Sequence, residues 1–513
     1  MLRVVKTENG WVKGIPAADP RITAFKGIPF AAPPVGDLRW KGPRPAENWE
    51  GVRECYTFGP IAMQKYPGLD PDNIYTREWN VDDKLVMSED CLQLNVWTPA
   101  KSADEKLPVM VWFYGGGLQE GHPSEMEFDG ERIARRGVVL VSVNYRVNVF
   151  GFFAHPEITA EAKNEDNCYT NFGSYDQRYG LLWTKRNIEA FGGDPDNITI
   201  FGQSAGGRSI LFQLLSPLND TDHIKKAISM SSGGINYNFP MNYPSLAEAE
   251  QMGVEFFDFL GVKTLAEAKA IDAVTIKDKM LEFMDKTGKR WGFNIDGVFI
   301  DDDPTDKLAR NERLQVPLMC GHTTGDMFDV FAMCRSKEEI RDMVVSFAGE
   351  EGAAKVLAAA DFDSSDLDTL KKNLSINNQR FGIMLLHMNG ADNGLDEYFY
   401  RFGPEIPGWD NPGAFHSSDL WFVFETLAKC WRPFKGKAYD LARHMCNYWT
   451  NFAKFGDPNG LDADGTPMPR WEKFTNEAPY GIDLFDENAM CTEPELPAVK
   501  IMLEETARNK WRK

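Results

Sequence analysis

Ile198-Thr199-Ile200-Phe201-Gly202-Gln203-Ser204-Ala205-Gly206-Gly207 is the stretch whose reading decides the fold. A β-branched apolar run ends at Gly202, and a segment of small residues then opens toward a helix. Strand, sharp turn, helix with the spacing G-x-S-x-G is a nucleophile elbow, in which tiny neighbours let the serine hydroxyl stand exposed at the tip. Ser204 is therefore the candidate nucleophile. The bland alternative is a tight structural turn.

Working outward, three more runs are apolar on both faces, as covered parallel strands must be. They are Leu107–Phe113, Val138–Tyr145 and Gln315–Cys320. A helical pattern, Tyr175–Ile188, lies between the second of these and Ile198–Phe201, and Gly192-Gly193-Asp194-Pro195 closes it. Strand, helix, strand in that order predicts a doubly wound α/β fold. Residues 1–100 are turn-rich and suit an antiparallel edge. Segments 244–290 and 335–390 are helix-rich and amphipathic, Lys337–Val356 among them. They read as insertions that cap the sheet. No break divides the 513 residues, so 1–513 reads as one domain.

A serine hydroxyl needs a base to take its proton and a third group to orient that base. With chain order serine, acid, histidine, the base lies downstream of Ser204. Of the seven histidines, His122 and His155 lie upstream, while His223, His322, His387, His416 and His444 lie downstream. His416 occupies the polar, small-residue loop Gly413-Ala414-Phe415-His416-Ser417-Ser418-Asp419-Leu420 before an aromatic helix, and is the candidate base. His387 falls in an apolar helical run and reads as packed. His444, beside Arg443, reads as solvated surface. The acid should follow a core strand. Cys320 leads into Gly321-His322-Thr323-Thr324-Gly325-Asp326-Met327-Phe328-Asp329, with Asp326 preferred and Asp329 the competitor. Either could instead be a helix-start carboxylate. Tyr114-Gly115-Gly116-Gly117 directly follows the strand ending Trp112-Phe113. Its amides, with the N–H of Ala205, could face a developing oxyanion.

These motifs together make the chain resemble the type-B carboxylesterase/lipase family, the cholinesterase-like branch of the α/β-hydrolase fold, and within it the bacterial-type carboxylesterases. Further matching stretches are Phe25–Gly36, Leu38-Arg39-Trp40, Met87–Trp97, Asn144-Tyr145-Arg146, Asp176-Gln177-Arg178, Asn187–Pro195 and Phe455–Asn459. The resemblance implies a triad of Ser204, Asp326 and His416, and an oxyanion hole of Gly116, Gly117 and Ala205. The family's usual acid is glutamate in the register of Asp326, so the resemblance selects Asp326 over Asp329. The residue matching Gln203 is often glutamate in the family. Arg208 stands where a small residue is expected, and reads as a core ion-pair residue, with the pocket as its alternative. Trp79 resembles a cation-site aromatic displaced by two residues, and reads as wall or core. Ser232 matches a supporting serine. The disulfide that secreted members make with the residue matching Cys91 is expected to be absent, since Ala62 stands at its partner's place, unless Cys55 substitutes.

A net charge of −20 argues against nucleic acid and anionic membranes as partners, because both repel an acidic surface. The first residues, Met1–Glu8, carry no apolar leader, and no stretch reaches the ~18 apolar residues of a membrane span. The eight cysteines show no C-x-x-C and no zinc spacing, and read as reduced thiols of a cytoplasmic protein. The expectation is therefore a serine carboxylesterase acting on small-molecule esters, with no cofactor and no metal. The alternatives are hydrolysis of another acyl bond (amide, carbamate, lactone or carbohydrate ester) at the same site, or a non-catalytic binding protein.

Overall fold

Eleven strands, hydrogen-bonded side by side, form the central sheet of the protein, known here from a computed structural model. It describes every residue except 83, 238–242, 327, 487, 488, 491–494 and 513, so Met327 and Cys491 lie outside the described residues. In chain order the strands are β1 (Ile15–Pro16), β2 (Thr23–Pro29), β3 (Gln93–Thr98), β4 (Leu107–Phe113), β5 (Val139–Val143), β6 (Gly193–Gln203), β7 (Lys226–Met230), β8 (Leu318–Thr323), β9 (Glu397–Phe402), β10 (Ile482–Leu484) and β11 (Ala489–Met490). Their spatial order is β11-β10-β9-β8-β7-β6-β4-β5-β3-β2-β1. From β5 across to β10 all neighbours are parallel, and both margins are antiparallel. A separate three-stranded sheet (Val4–Thr7, Gly10–Lys13, Val52–Glu54) forms the N-terminal edge.

The strands read as apolar on both faces are buried on both. Every residue of β5, β7 and β8 is buried, because helices cover each side of the sheet. The structure differs from the sequence reading at strand ends. β6 begins at Gly193, inside the segment read as a stop, and β8 runs on to Thr323. Gly321, His322 and Thr323 look like loop by composition. They pair with Tyr400, Arg401 and Phe402 of β9, and that pairing holds them extended.

The parallel register decides where chemistry can collect. In β4 and β6, Trp112 lies opposite Phe201 and Phe113 opposite Gly202, so both strands end at one sheet edge. The loops after β4, β6, β7 and β8 all leave from that edge, the side where open parallel sheets bind ligands. An aromatic cluster beneath it (Trp112 with Phe128, Phe201 and Phe424) gives it a stiff floor. Segment 244–290 folds as helices Leu246–Leu260, Leu265–Ala270 and Ala273–Thr287. The first two open with capping boxes, Ser245 with Glu248 and Thr264 with Glu267. Lys337–Ala359 is two helical pieces joined at Gly349, whose φ of 70° and ψ of 171° no helix contains.

The seven described cysteines are free, and all but Cys430 are buried; Cys55 and Cys91, the pair weighed for a disulfide, are unbridged. No helix of the described residues is long and apolar enough to cross a membrane. No cluster of His, Cys, Asp or Glu among them has the makings of a metal site.

Candidate active site

Ser204 stands at the junction of β6 and the helix Ala205–Leu215, with φ 56° and ψ −124°, a conformation that costs a non-glycine residue energy. Packing enforces it. A Cβ on Gly202 would lie 2.5 Å from the Gly206 carbonyl carbon, and one on Gly206 would lie 2.1 Å from the Phe113 carbonyl oxygen. Strand and helix can therefore cross only through glycine, and the turn between them pushes the serine outward. The Ser204 N–H donates to the Met230 carbonyl at 2.9 Å, which pins the turn to β7.

His416 Nε2 is 2.8 Å from Ser204 Oγ, and its Nδ1 hydrogen-bonds Asp326 Oδ1. The loops that carry these two residues are tied together, since the Gly325 N–H donates to the Ala414 carbonyl at 2.9 Å. Asp326 is fully buried, and its second oxygen accepts the Thr323 N–H at 3.0 Å. Burial pushes the Asp326 carboxyl up, but the facing imidazole outweighs it and holds the group below the ordinary aspartate value. Burial would depress His416, yet Asp326 outweighs it, with a further push from Asp419, and the imidazole ends above the ordinary histidine value. Asp329, the competing acid, instead bonds the Phe331 N–H at 2.9 Å and the Ser375 hydroxyl at 2.8 Å.

The glycine loop after β4 lies across Ser204, with Gly116 at φ 103° and Gly117 at φ 63°. Among the described residues, the N–H groups of Gly116, Gly117 and Ala205 donate to no protein acceptor. Ala205 opens a helix, where free N–H groups and the positive dipole end coincide. The loop is braced from below. The Tyr145 hydroxyl donates to the Tyr114 carbonyl at 2.6 Å and the two rings stack 4.3 Å apart.

Two cavities meet at Ser204 and His416. The larger, about 520 Å³, is walled by Tyr75, Trp79, Glu125, Phe128, Met280 and Met284, among others. Trp79 is buried and stacks on Tyr75 with centroids 5.3 Å apart, so it is a wall that packs like core. The smaller, about 400 Å³, lies over Ala205, Arg208, Ser232, Tyr243 and Trp291. Arg208 departs from its sequence reading. It is buried, but among the described residues it has no ion-pair partner. Ser232 bonds the Ser229 hydroxyl at 2.5 Å and makes no contact of a nucleophile with its base. Gln203 Nε2 is 3.4 Å from His416 Nε2. His387 is packed, with Nδ1 2.7 Å from Glu397. His444 is not free surface; its Nε2 lies 3.0 Å from Asp462.

Sequence reasoning missed two groups. Asp419 is fully buried three residues after His416, and burial, helped by the nearby Asp326 charge, raises it to about 7. Only its place in the histidine loop hinted at this. Glu127, fully buried, pairs with Glu125 in the wall of the larger cavity, and desolvation raises both carboxyls. Nothing in the local sequence marks them.

The model of the carboxylesterase family matches residues 2–500. The chain is 30% identical over 499 residues to the fumonisin B1 esterase of Sphingopyxis macrogoltabida, covering 95% of this chain and 88% of that protein. Among solved structures, a PNB esterase superposes with a TM-score of 0.78 at 26% identity, covering 98% of this chain and 99% of that one. A carboxylesterase of Geobacillus stearothermophilus does so with a TM-score of 0.75 at 28% identity, covering 98% and 100%.

Proposed function

We propose that this chain, which belongs to the carboxylesterase family and is a carboxylic ester hydrolase of the α/β-hydrolase fold, works through an acyl-enzyme on Ser204. Ser204 Oγ attacks the ester carbonyl while His416 Nε2 takes its proton. The carbonyl oxygen becomes an oxyanion, and the three unused amides of Gly116, Gly117 and Ala205 stabilise it. The tetrahedral intermediate collapses, the bond to the alcohol oxygen breaks, and His416 returns the proton to that oxygen. Water then repeats the cycle. His416 takes its proton, the bond to Ser204 Oγ breaks, the carboxylic acid leaves and Ser204 is reprotonated. Asp326 holds the imidazole in the tautomer that aims Nε2 at the serine, and offsets its positive charge.

The observation that carries this reading is the imidazole bridging Ser204 at 2.8 Å and the buried Asp326, beside three amides with no protein acceptor. Segment 244–290 serves as the cap, since Met280, Leu281, Met284 and Arg290 border the larger cavity. The test is hydrolysis of 4-nitrophenyl esters from acetate to octanoate by the parent and by Ser204→Ala. The parent should turn over the series with an optimum at short to medium chains. The variant should lose about 10⁴-fold or more in kcat. Activity that survives the substitution would overturn the serine mechanism.

A further inference from the structure

The smaller cavity beside Ser204 is basic in an acidic protein. Arg208 and Arg290 border it and, among the described residues, no Asp or Glu does, although the chain carries a net charge of −20. Five arginines of the described residues are buried. Four have carboxylate partners: Arg39 with Glu89, Arg146 with Asp176, Arg313 with Glu397, and Arg432 with Glu78 and Asp410. Arg208, 7% exposed, is the fifth, and no carboxylate of the described residues lies within ion-pair distance of it. Among the described residues its buried Nε has no hydrogen-bond partner either. An arginine cannot shed its charge, so a buried guanidinium left unpaired is costly unless something else supplies the anion.

The surroundings are built for one. A Cβ at Gly233 would lie 2.9 Å from Arg208 Nη2, 2.3 Å from Asn236 Nδ2 and 3.1 Å from Gln379 Oε1. Three polar side chains therefore converge where this residue has no side chain. Of the three, Arg208 Nη2 and Asn236 Nδ2 are donors from which an anion can accept, whereas Gln379 Oε1 is an acceptor and adds nothing to the grip. Arg208 is one helical turn beyond Ser204, its N–H donating to the Ser204 carbonyl at 2.8 Å, and both residues line the smaller cavity. A separation of about one helical turn, ~5 Å along the axis, leaves room for a few methylenes between an acyl carbon on Ser204 and an anion on the guanidinium.

We infer that the smaller cavity is an anion-recognising acyl subsite, and that the preferred substrates are hemiesters of short dicarboxylic acids whose free carboxylate is gripped by Arg208. This rests on Ser204 being the nucleophile. The acid half belongs here because this cavity lies over Ala205, Ser231 and Ser232. The larger cavity, over Gln203, Ser417 and Leu420, is left for the alcohol half, still within reach of His416, which borders both cavities. A planar guanidinium binds a carboxylate through two parallel hydrogen bonds, which a neutral acyl chain cannot accept.

The experiment compares mono-4-nitrophenyl glutarate with 4-nitrophenyl pentanoate, in the parent and in Arg208→Met and Arg208→Lys. The parent should favour the hemiester at least ten-fold in kcat/KM. Arg208→Met should lower that ratio about ten- to a hundred-fold, chiefly through KM on the hemiester. Arg208→Lys should fall between, because an ammonium keeps the charge and loses the fork. A parent without preference, or a ratio unmoved by Arg208→Met, would overturn the proposal. So would an Arg208-dependent preference for 4-acetoxybenzoate, whose anion is on the leaving group. Glutarate binding to the Ser204→Ala protein, measured by calorimetry and weakened by Arg208→Met, checks the subsite without any turnover. Residual hydrolysis by Ser204→Ala would instead count against the nucleophile.

Discussion

At the scale of single residues, His416 is the group whose titration is read most directly in activity. As the proposed base it must be neutral, so kcat/KM should rise with pH through its pKa. Asp326 outweighs burial and lifts that pKa above the ordinary histidine value. Replacing Asp326 with Asn removes the lift and leaves the burial, so the limb should move to lower pH while kcat falls about 10⁴-fold. Asp419→Asn should move the limb the same way by less, with a smaller loss of rate. A limb that stays in place in Asp326→Asn would argue against this carboxylate as the imidazole's partner. That Ser204, Asp326 and His416 meet was legible in the sequence because each stands in a small-residue loop that follows or faces a core strand. Arg208 was not. Its charge is plain from the residue type, but whether a carboxylate faces it depends on chain segments about 25 and 170 residues away, around Gly233 and Gln379. Asp419 was hidden for a related reason, because burial is not written in a polar loop.

At the scale of elements, the strands were legible where apolar runs are continuous and illegible at their ends, where neighbours decide. Thr323 is extended because Phe402 lies beside it, not because threonine follows His322. The kink at Gly349 escaped an amphipathic reading for the converse reason, since the apolar pattern runs through it. One contact between elements lends itself to measurement. Arg146, just after β5, grips Asp176 of the helix Phe172–Asn187 with two hydrogen bonds of 2.8 Å, both side chains buried. Asp176→Ala would strand the guanidinium, and should cost about 3–5 kcal/mol of unfolding free energy in urea titration. A loss under about 1 kcal/mol, the scale of a surface pair, would mean that water reaches the pair.

For the whole molecule, acid should be felt through histidines to which the proposed mechanism gives no proton transfer. Burial lowers His122 and His322 to about 4 in the folded chain. The unfolded chain titrates near 6.5, so between about 6.5 and 4 it binds more protons than the folded one. Each histidine therefore contributes stability that is complete above 6.5 and is lost as pH falls. Asp419 and Glu125, both raised to about 7, work in the opposite direction over the same range. His322→Gln should flatten the fall in urea midpoint between pH 7 and pH 5 relative to the parent. An unchanged slope would mean that His322 already carries its proton in the native state. None of this balance was legible in the sequence, because seven histidines say nothing of which are dry.

The free cysteines give the fold a clock. Burial drives Cys55 up to about 11 and Cys320 and Cys446 up to about 12, so at neutral pH these three present almost no thiolate to an alkylating reagent. Once the chain opens, those same thiols regain ordinary reactivity, and in air, with dioxygen as oxidant, pairs that never met in the folded state can be oxidised to disulfides. Labelling rates would then time excursions from the native state, and heat inactivation would become irreversible through mispaired sulfur before it became so through damage to Ser204.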